Sequence, residues 1–197
     1  AYYDSGNGNL KFAAYDNGMW SVETLGSDSG ITEIDLVVDS NGIPHIMHLS
    51  STNYYPDYTT KADGMWAEST LQVVTYGLSL SIDDSDEIRF ARYIEDGAII
   101  KLVTYSCSAD CDTWSNWNED DSLYQDASHF ETVDGHQVYI DGNHDGLYYR
   151  IDSAGSSYLV SREVSQSDTY MVTSIDSAPD GTVGIAHTND TTYKTYF

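Results

Sequence analysis

One phrase of this sequence occurs twice, and the repeat restricts the fold more than any other feature does. YDNGMWSVETL begins at Tyr15 and KADGMWAESTL begins at Lys61, so the two copies lie 46 residues apart. Each copy places an acidic residue, a glycine and a tryptophan in the same order, between runs in which apolar and polar residues alternate. Such alternation around a short turn with glycine is typical of a β-hairpin. The repeat therefore predicts a fold built from one β-unit that is used several times.

A second hairpin pattern lies between the copies of the first. It consists of a strand, an acidic or glycine-containing turn and another strand, and it occurs at 34–51, 78–93, 130–141 and 172–190. The aspartates that we assign to its turns, at intervals of 44, 51 and 42 residues, are Asp39, Asp83, Asp134 and Asp176. Four short antiparallel strands repeated about every 46 residues, without helical spacing of apolar residues, are typical of a β-propeller. We therefore expect an all-β propeller with four-stranded antiparallel blades.

The strand count predicts about five blades, of which the first and the last are incomplete. In the second unit, the strands expected from the innermost to the outermost are 34–40, 44–51, 54–62 and 65–71. A chain of 197 residues has the length of one domain, which we divide into approximate repeats at 1–32, 33–77, 78–127, 128–171 and 172–197. The chain then starts and ends with three strands of a blade and totals about 18 strands. Since open edge strands invite pairing, self-association through the end strands is one expectation, and a piece of a longer array is another.

The hairpin turns resemble the motif of the Asp-box propellers, a class that includes sialidases, sortilin-like receptors and several lectins. That motif is Ser/Thr-x-Asp-x-Gly-x-x-Trp, and here the leading Ser or Thr is absent and the tryptophan comes early. The residues that carry the resemblance are Asp16, Gly18, Trp20, Asp63, Gly64, Trp66 and, in a weaker copy, Tyr158. The resemblance implies a propeller in which the acid and the glycine shape a turn and the aromatic ring packs between neighbouring sheets. It implies no activity, because the motif is a folding element in that class.

The charge of the sequence excludes several partners. The chain has 32 Asp and Glu residues against 8 Lys and Arg residues, for a formal net charge of −24, and 13% of its residues are aromatic. A disordered acidic segment lacks such aromatics, so we expect a folded chain with a strongly negative surface. That surface repels nucleic acid and anionic membranes, and the sequence contains no run of about 18 apolar residues. We therefore expect neither nucleic-acid binding nor membrane insertion. The acidity suits a medium of high salt or the recruitment of divalent cations.

Cys107 and Cys111 are the only cysteines, and three residues of a loop-like stretch separate them. This spacing fits neither a zinc site nor the Cys-x-x-Cys of redox enzymes. We expect a local disulfide and, with it, an oxidising extracellular setting. Unpaired thiols in a cytosolic protein are the alternative.

Aromatic residues are numerous, with 17 tyrosines and 4 tryptophans, and several fall in loop-like stretches beside acidic and amide side chains. Such surfaces stack on neutral sugars, and aromatic residues are also enriched at protein interfaces. Two histidines, His48 and His187, occupy equivalent positions in the second strands that we predict for two of the blades. A position repeated in this way indicates either a ligand site or a hydrogen bond between blades. Zinc would require residues of separate blades to converge. The candidate ligand-binding residues are Tyr54, Tyr55, Tyr58, Trp114, Trp117, His48 and His187.

Calcium is the one metal that the acidic turns indicate, because they concentrate the hard oxygen ligands that calcium binds. The candidate ligands are Asp141, Asp145, Asp176 and Asp180. Aspartate and glycine are also the residues that tight turns need without any metal. We expect no other cofactor.

Three classes of function fit these features. Our main expectation is an extracellular, non-catalytic module that binds a carbohydrate or a surface protein. One alternative is a structural subunit joined to others through incomplete end blades. The other is a glycoside hydrolase or lyase with carboxylates in the central funnel of the propeller. No spacing distinguishes a catalytic pair among Glu23, Glu33, Glu68, Glu87 and Glu95.

Overall fold

The computed structural model describes residues 1–28, 30–97, 99–124, 127–133, 135–141, 146–151, 156–162, 173–178, 180–189 and 194–196. These residues form eighteen β-strands and one short 3-10 turn, Trp114–Asn116. Among them, no helix is long and apolar enough to cross a membrane.

The strands pair with their neighbours in the chain, always antiparallel, and form five sheets within the described residues. The first sheet contains β1 (Tyr2–Asp4), β2 (Asn9–Asp16) and β3 (Met19–Ser27). The second contains β4 (Ile31–Val38), β5 (Pro44–Ser50), β6 (Pro56–Thr60) and β7 (Ala67–Thr70). The third contains β8 (Leu78–Ile82), β9 (Ile88–Asp96), β10 (Ile99–Cys107) and β11 (Asn118–Tyr124). The fourth contains β12 (Ala127–Val133), β13 (His136–Asp141), β14 (Gly146–Ile151) and β15 (Ser157–Ser161). The fifth contains β16 (Thr173–Ser177), β17 (Val183–Asn189) and β18 (Lys194–Tyr196).

This arrangement confirms the predicted propeller. Within the part of the chain that the structure describes, three sheets have four strands each, and the first and the last have three. The strands expected at 34–40 and 44–51 are found at Ile31–Val38 and Pro44–Ser50. The inner strands lie side by side, with β4 next to β8, β8 next to β12, and β12 next to β16. The division of the chain into repeats of one domain stays a prediction.

The hydrophobic core consists of layers between successive sheets. Met47 and Tyr58 of the second sheet pack with Phe90 of the third. The layer between the third and fourth sheets contains Ala91, Leu102, Phe130 and Tyr139. The layer between the fourth and fifth contains Val138, Ile140, Leu147 and Ile175. The third and fourth sheets are therefore covered on both faces, and packing on either side positions their inner strands β8 and β12.

The first copy of the repeated phrase forms a tight hairpin. Asp16 and Met19 are paired across the ladder, so only two residues, Asn17 and Gly18, form the loop. Both have positive φ, 50° and 81°. A two-residue hairpin with positive φ at both positions is a type I′ turn, for which Asn-Gly is the preferred pair. The acidic residue and the glycine of the phrase therefore shape a turn.

The acidic turns after the inner strands close on an aspartate side chain. Asp39 Oδ1 accepts hydrogen bonds from the backbone N–H of Asn41 at 3.0 Å and of Ile43 at 2.7 Å. Asp83 Oδ1 does the same with the residues two and four positions further on, at 2.9 Å and 3.0 Å. The carboxylates thus complete the turns with backbone donors.

In the fifth sheet our assignment of the turn aspartate is wrong by two residues. Ala178 N donates to Thr182 O at 2.8 Å and Gly181 N donates to Ala178 O at 2.9 Å, which is the backbone pattern that Asp39 has in the second sheet. Asp176 lies earlier, inside β16. The error arose because this turn uses alanine, so the nearest acidic residue marked the wrong position. Asp134 lies outside the described residues.

The two repeated tryptophans differ in their surroundings. Trp66 packs on Phe12 of the first sheet with 5.1 Å between ring centroids, and its Nε1 donates to Glu23 Oε2 at 2.9 Å. Trp20, for which we expected the same packing between sheets, is 70% exposed and contacts Tyr15 of its own hairpin. Trp66 packs against the sheet that precedes its own in the chain, whereas Trp20 belongs to the first sheet.

Candidate functional site

Acidic side chains on two inner strands converge on a third strand that lies between them. Glu33 and Asp35 are two residues apart on β4, so both point to the same face of the second sheet. Glu131 lies on β12, the inner strand of the fourth sheet. Between β4 and β12 lies β8, the inner strand of the third sheet.

The β4 carboxylates bind the free edge of β8. Glu33 Oε2 accepts a hydrogen bond from the backbone N–H of Leu78 at 2.7 Å, and Asp35 Oδ2 accepts one from Leu80 at 2.7 Å. These N–H groups point away from β9, because β8 is the innermost strand of its sheet. Asp35 Oδ1 also accepts from the N–H of Leu36 at 2.8 Å. Backbone donors that have no strand partner therefore hold both carboxylates at the axis.

Glu131 reaches the same stretch of β8 from the opposite side. Its Oε2 accepts from Ser79 Oγ at 3.4 Å, and Ser79 Oγ accepts from the backbone N–H of Thr132 at 3.1 Å. Residues 78–80 of β8 are thus in contact with acids from both neighbouring inner strands. Glu33, Asp35 and Glu131 together are called the axial acids below.

Burial changes the protonation of the axial acids. It raises the pKa of Glu33 and of Asp35 above their ordinary values, and the backbone N–H donors oppose part of that rise. Burial also raises the pKa of Glu131 to about 7, and the negative charges of Asp35 and Glu33 add to the effect. Near neutral pH, Glu131 is therefore protonated in a large fraction of the molecules.

Tyr93 is packed beside the axial acids. Its hydroxyl is enclosed, and burial together with the charges of Glu33 and Glu131 raises its pKa well above the ordinary value. Its ring contacts Phe130 with 4.4 Å between centroids. A Cβ on Gly77 would lie 2.8 Å from Cδ2 of Tyr93, so only glycine leaves room for this ring. Tyr93 therefore keeps its phenol protonated beside the acids.

This geometry provides the groups that glycoside hydrolysis uses. A carboxyl that keeps its proton near neutral pH can donate it to a leaving oxygen. A second carboxylate that hydrogen bonds hold in the ionised form can attack or activate water on the other side of the sugar. Glu131 fits the first description. Asp35 is the candidate for the second, because its two N–H donors favour the ionised form against the effect of burial.

From the sequence, Glu33 was one of five glutamates that no spacing distinguished, and Asp35 and Glu131 were not predicted as site residues. The signal for Asp35 was present in the predicted inner strand 34–40, IDLVVDS, and that for Glu131 in FETV at 130–133, where an acid stands among apolar residues. An acid on an innermost strand is a better indication of a functional site than an acid in a turn, because a turn aspartate bonds the backbone N–H groups of the turn itself.

Two of the predicted ligand-binding aromatics lie in the core. Tyr58 is 2% exposed, and its hydroxyl lies 2.6 Å from Nδ1 of His45. Trp117 is 6% exposed, and its Nε1 donates to Cys111 O at 2.8 Å. Both side chains pack between the second and third sheets, so neither offers a face for sugar stacking.

The other predicted ligand residues do not share one surface. Tyr54 is exposed and packs on Tyr76 with 5.4 Å between centroids, and Tyr55 is half-buried in the same loop. Trp114 is half-buried on Tyr105 in the third sheet. The two histidines, His48 and His187, are buried in the second and the fifth sheet.

The predicted calcium ligands are likewise spread out. Asp141 is buried at the end of β13, Asp176 is exposed on β16, and Asp180 Oδ1 accepts from the N–H of Thr182 at 3.0 Å. Asp145 lies outside the described residues. Among the residues that the structure describes, the group of three side chains that could hold a metal contains none of these aspartates.

The predicted disulfide between Cys107 and Cys111 is present, with 5.8 Å between the two Cα atoms. It lines a cavity of about 560 Å³ together with His45, Tyr58 and Trp66. Asp39, which follows β4, is at this cavity, whereas Glu33 lies near the start of that strand. The cavity therefore lies near the end of β4, and none of the axial acids lines it.

Comparisons with known proteins identify the fold. No family model matches this chain, and no curated protein matches it. Among solved structures, it is similar to the GH93 α-L-arabinofuranosidase of Fusarium graminearum in complex with arabinobiose, with a TM-score of 0.51 and 11% identity. It is also similar to a bifunctional GH43-CE protein of Bacteroides eggerthii, with a TM-score of 0.50 and 12% identity.

These likenesses show the fold alone, and they concern larger proteins. The first covers 80% of this chain and 56% of the arabinofuranosidase, and the second covers 86% of this chain and 26% of the bifunctional protein. This chain therefore spans about half the length of the first and a quarter of the second. They support the propeller fold that the Asp-box resemblance implies. They do not show that this chain contains the Asp-box motif.

The comparisons contradict our main expectation of a non-catalytic binding module. Both solved structures named above are glycoside hydrolases, not binding modules without catalytic activity. The expectation also depended on exposed aromatics, and Tyr58 and Trp117 are buried.

Proposed function

We propose that this chain hydrolyses glycosidic bonds of a neutral glycan at the axial acids. The observation that carries the proposal is the convergence of Glu33, Asp35 and Glu131 on residues 78–80, with the pKa of Glu131 raised to about 7. The fold shared with glycoside hydrolases supports it further.

Each axial acid has a distinct role in the proposal. Glu131 donates its proton to the glycosidic oxygen as the bond to the leaving group breaks. Asp35, ionised and fixed by two N–H donors, attacks the anomeric carbon or removes a proton from the attacking water. Burial keeps the pKa of Glu131 high, and the negative charges of Asp35 and, to a lesser extent, Glu33 raise it further. Ser79 fixes the orientation of Glu131 through its hydroxyl.

A neutral substrate follows from the charge of the chain. With a net charge of −24, the protein repels uronic acids and sialic acids and does not repel neutral sugars. Arabinobiose, which is bound in the similar arabinofuranosidase, is therefore the first oligosaccharide to test. An extracellular setting, where such glycans occur, is part of the proposal and is supported by the disulfide.

The proposal predicts that Glu131→Gln and Asp35→Asn each lower the rate of hydrolysis at least about 100-fold, because each removes one group of the acid and base pair. The measurement is product release from arabinobiose and from a panel of neutral aryl glycosides. Glu95→Gln is the matched control, since Glu95 is exposed on β9, and it is expected to keep full activity. Circular dichroism of each variant verifies that it is folded.

Two results would contradict the proposal. One is a hydrolytic activity that Glu131→Gln and Asp35→Asn leave unchanged, since the activity would then arise elsewhere in the chain. The other is sugar binding by the unmodified protein without turnover of any glycoside in the panel.

A further inference from the structure

A buried histidine in the second sheet faces two carboxylates. His48 on β5 is 2% exposed. Its Nε2 lies 3.6 Å from Oδ2 of Asp28 and 3.6 Å from Oδ2 of Asp57. The ligand atoms of these three residues all lie within 4.8 Å of one another.

Two of the three side chains come from the second sheet, and the third comes from the connection that leads into it. Asp57 is the ladder partner of His48 on β6. Asp28 lies in the connection from β3 of the first sheet to β4 of the second, and its N–H donates to Gly8 O at 3.1 Å. In the same connection, the N–H of Gly30 donates to Tyr3 Oη at 3.1 Å. A residue of the connection therefore joins two residues of the second sheet, and no side chain from a distant blade is needed.

The imidazole of His48 has no hydrogen bond in this position. Its Nδ1 is enclosed without a partner, and the 3.6 Å from Nε2 to each carboxylate oxygen exceeds hydrogen-bond length. Buried polar groups in proteins are nearly always paired, so an unpaired imidazole aimed at two carboxylates is unusual. A cation between the three side chains would bind the Nε2 lone pair and neutralise the two acids.

The donor set and spacing suit a transition metal. Zinc bonds to histidine nitrogen and carboxylate oxygen at about 2.0–2.1 Å, which places tetrahedral ligands about 3.3 Å apart. The observed 3.6 Å is close to that separation. Calcium and magnesium prefer oxygen ligands, so the central imidazole disfavours both. Thr70 Oγ1 donates to Asp57 Oδ1, which leaves Oδ2 directed at His48.

We propose that Asp28, His48 and Asp57 bind one divalent transition-metal ion, with zinc the best fit, which clamps the first sheet to the second. Asp28 is partly exposed, so water completes the coordination and the ion enters from solvent. The connection that contains Asp28 leads directly into β4, which carries Glu33 and Asp35. The ion thus stabilises the propeller beside the axial acids. Its binding can be measured without any catalytic activity.

The test is zinc binding by the untagged, chelator-treated chain at an ionic strength that keeps it folded. Calorimetry and competition with a chromophoric chelator are expected to give one equivalent of tightly bound zinc, and zinc is expected to raise the melting temperature. Asp28→Asn and His48→Gln are each expected to weaken zinc binding at least about 10-fold and to lose the rise in melting temperature. His45→Gln is the control, because His45 lies on the same strand and bonds Tyr58 instead of the cluster. It is expected to bind zinc as the unmodified chain does.

Three results would overturn the site. These are the absence of stoichiometric zinc binding, equal binding by the unmodified chain and Asp28→Asn, and loss of binding in His45→Gln. Tighter binding of calcium than of zinc would overturn the assignment of the metal. If His48→Gln does not fold, Asp28→Asn decides alone, since its side chain is partly exposed and the substitution preserves its shape.

Discussion

Glu131 owes its chemistry to its place on an inner strand. The side chain is half-buried beside Asp35 and Glu33, and these surroundings raise its pKa to about 7. Glu23, by contrast, bonds Lys61 and Trp66, which lowers its pKa. The same residue type is therefore an acid that keeps its proton in one place and an ion pair partner in the other.

The raised pKa of Glu131 predicts how stability depends on pH. Between pH 4.5, its ordinary pKa, and about 7, the folded chain holds a proton on Glu131 that the unfolded chain has released. Glu131 therefore lowers the free energy of unfolding as the pH rises through this window. Glu131→Gln removes this loss of stability. The free energy of unfolding of the variant minus that of the unmodified chain is therefore expected to be larger at about pH 8 than at about pH 5. Urea unfolding at both pH values measures the difference.

The comparison of the two proteins isolates Glu131 from the other titrating groups. Glu33 and Asp35 also have raised pKa values, so they contribute a slope of the same sign in both proteins. Glu95→Gln, on the exposed face of β9, is expected to follow the unmodified chain at every pH. Parallel curves for Glu131→Gln and the unmodified chain would show that Glu131 is not protonated at neutral pH.

Single residues were predictable from the sequence where the relevant contact is local. The Cys107 and Cys111 disulfide joins residues four positions apart, so spacing alone indicated it. Burial of Tyr58 and Trp117 was not predictable, because it results from the meeting of two sheets. Asp35 and Glu131 were missed for the same reason. Glu131 meets Asp35 only after the inner strands gather around the axis.

At the scale of elements, the hairpins follow from the sequence, because a hairpin requires only a turn and alternation on either side. Asn17 and Gly18 fix one such turn through their positive φ. What a hairpin packs against depends on its neighbours, which the repeat cannot specify. Trp20 and Trp66 occupy similar phrases, yet only Trp66 packs between sheets.

This difference predicts unequal effects of two identical substitutions. Trp66→Ala removes the contact with Phe12 and the hydrogen bond to Glu23, and we expect it to lower the free energy of unfolding by about 2–3 kcal/mol. Trp20→Ala removes a largely exposed ring, and we expect a change within about 0.5 kcal/mol. Urea denaturation of both variants makes the comparison. Equal losses would mean that Trp20 is also buried between sheets in solution.

At the scale of the whole molecule, the charge is the dominant property. Acids outnumber Lys and Arg by 32 to 8, so the ion pairs of Lys11 with Asp4 and of Lys61 with Glu23 can neutralise only a small part of the total. Arg89 lies beside three acids, Asp83, Glu87 and Asp120. Repulsion between the acidic side chains therefore opposes folding of the chain. The range of this repulsion is the Debye length, which shortens as the salt concentration rises.

Salt is therefore expected to stabilise this protein. The Debye length falls from about 10 Å at 0.1 M to about 3 Å at 1 M salt, which screens acids on neighbouring sheets from one another. We expect the melting temperature to rise continuously over this range of sodium chloride, in the presence of a chelator that excludes trace metals. Choline chloride at equal ionic strength is the control, since screening depends on ionic strength and not on the cation. A rise confined to sodium chloride would attribute the stabilisation to bound cations, and a flat response would mean that the surface acids do not repel one another appreciably in the folded state.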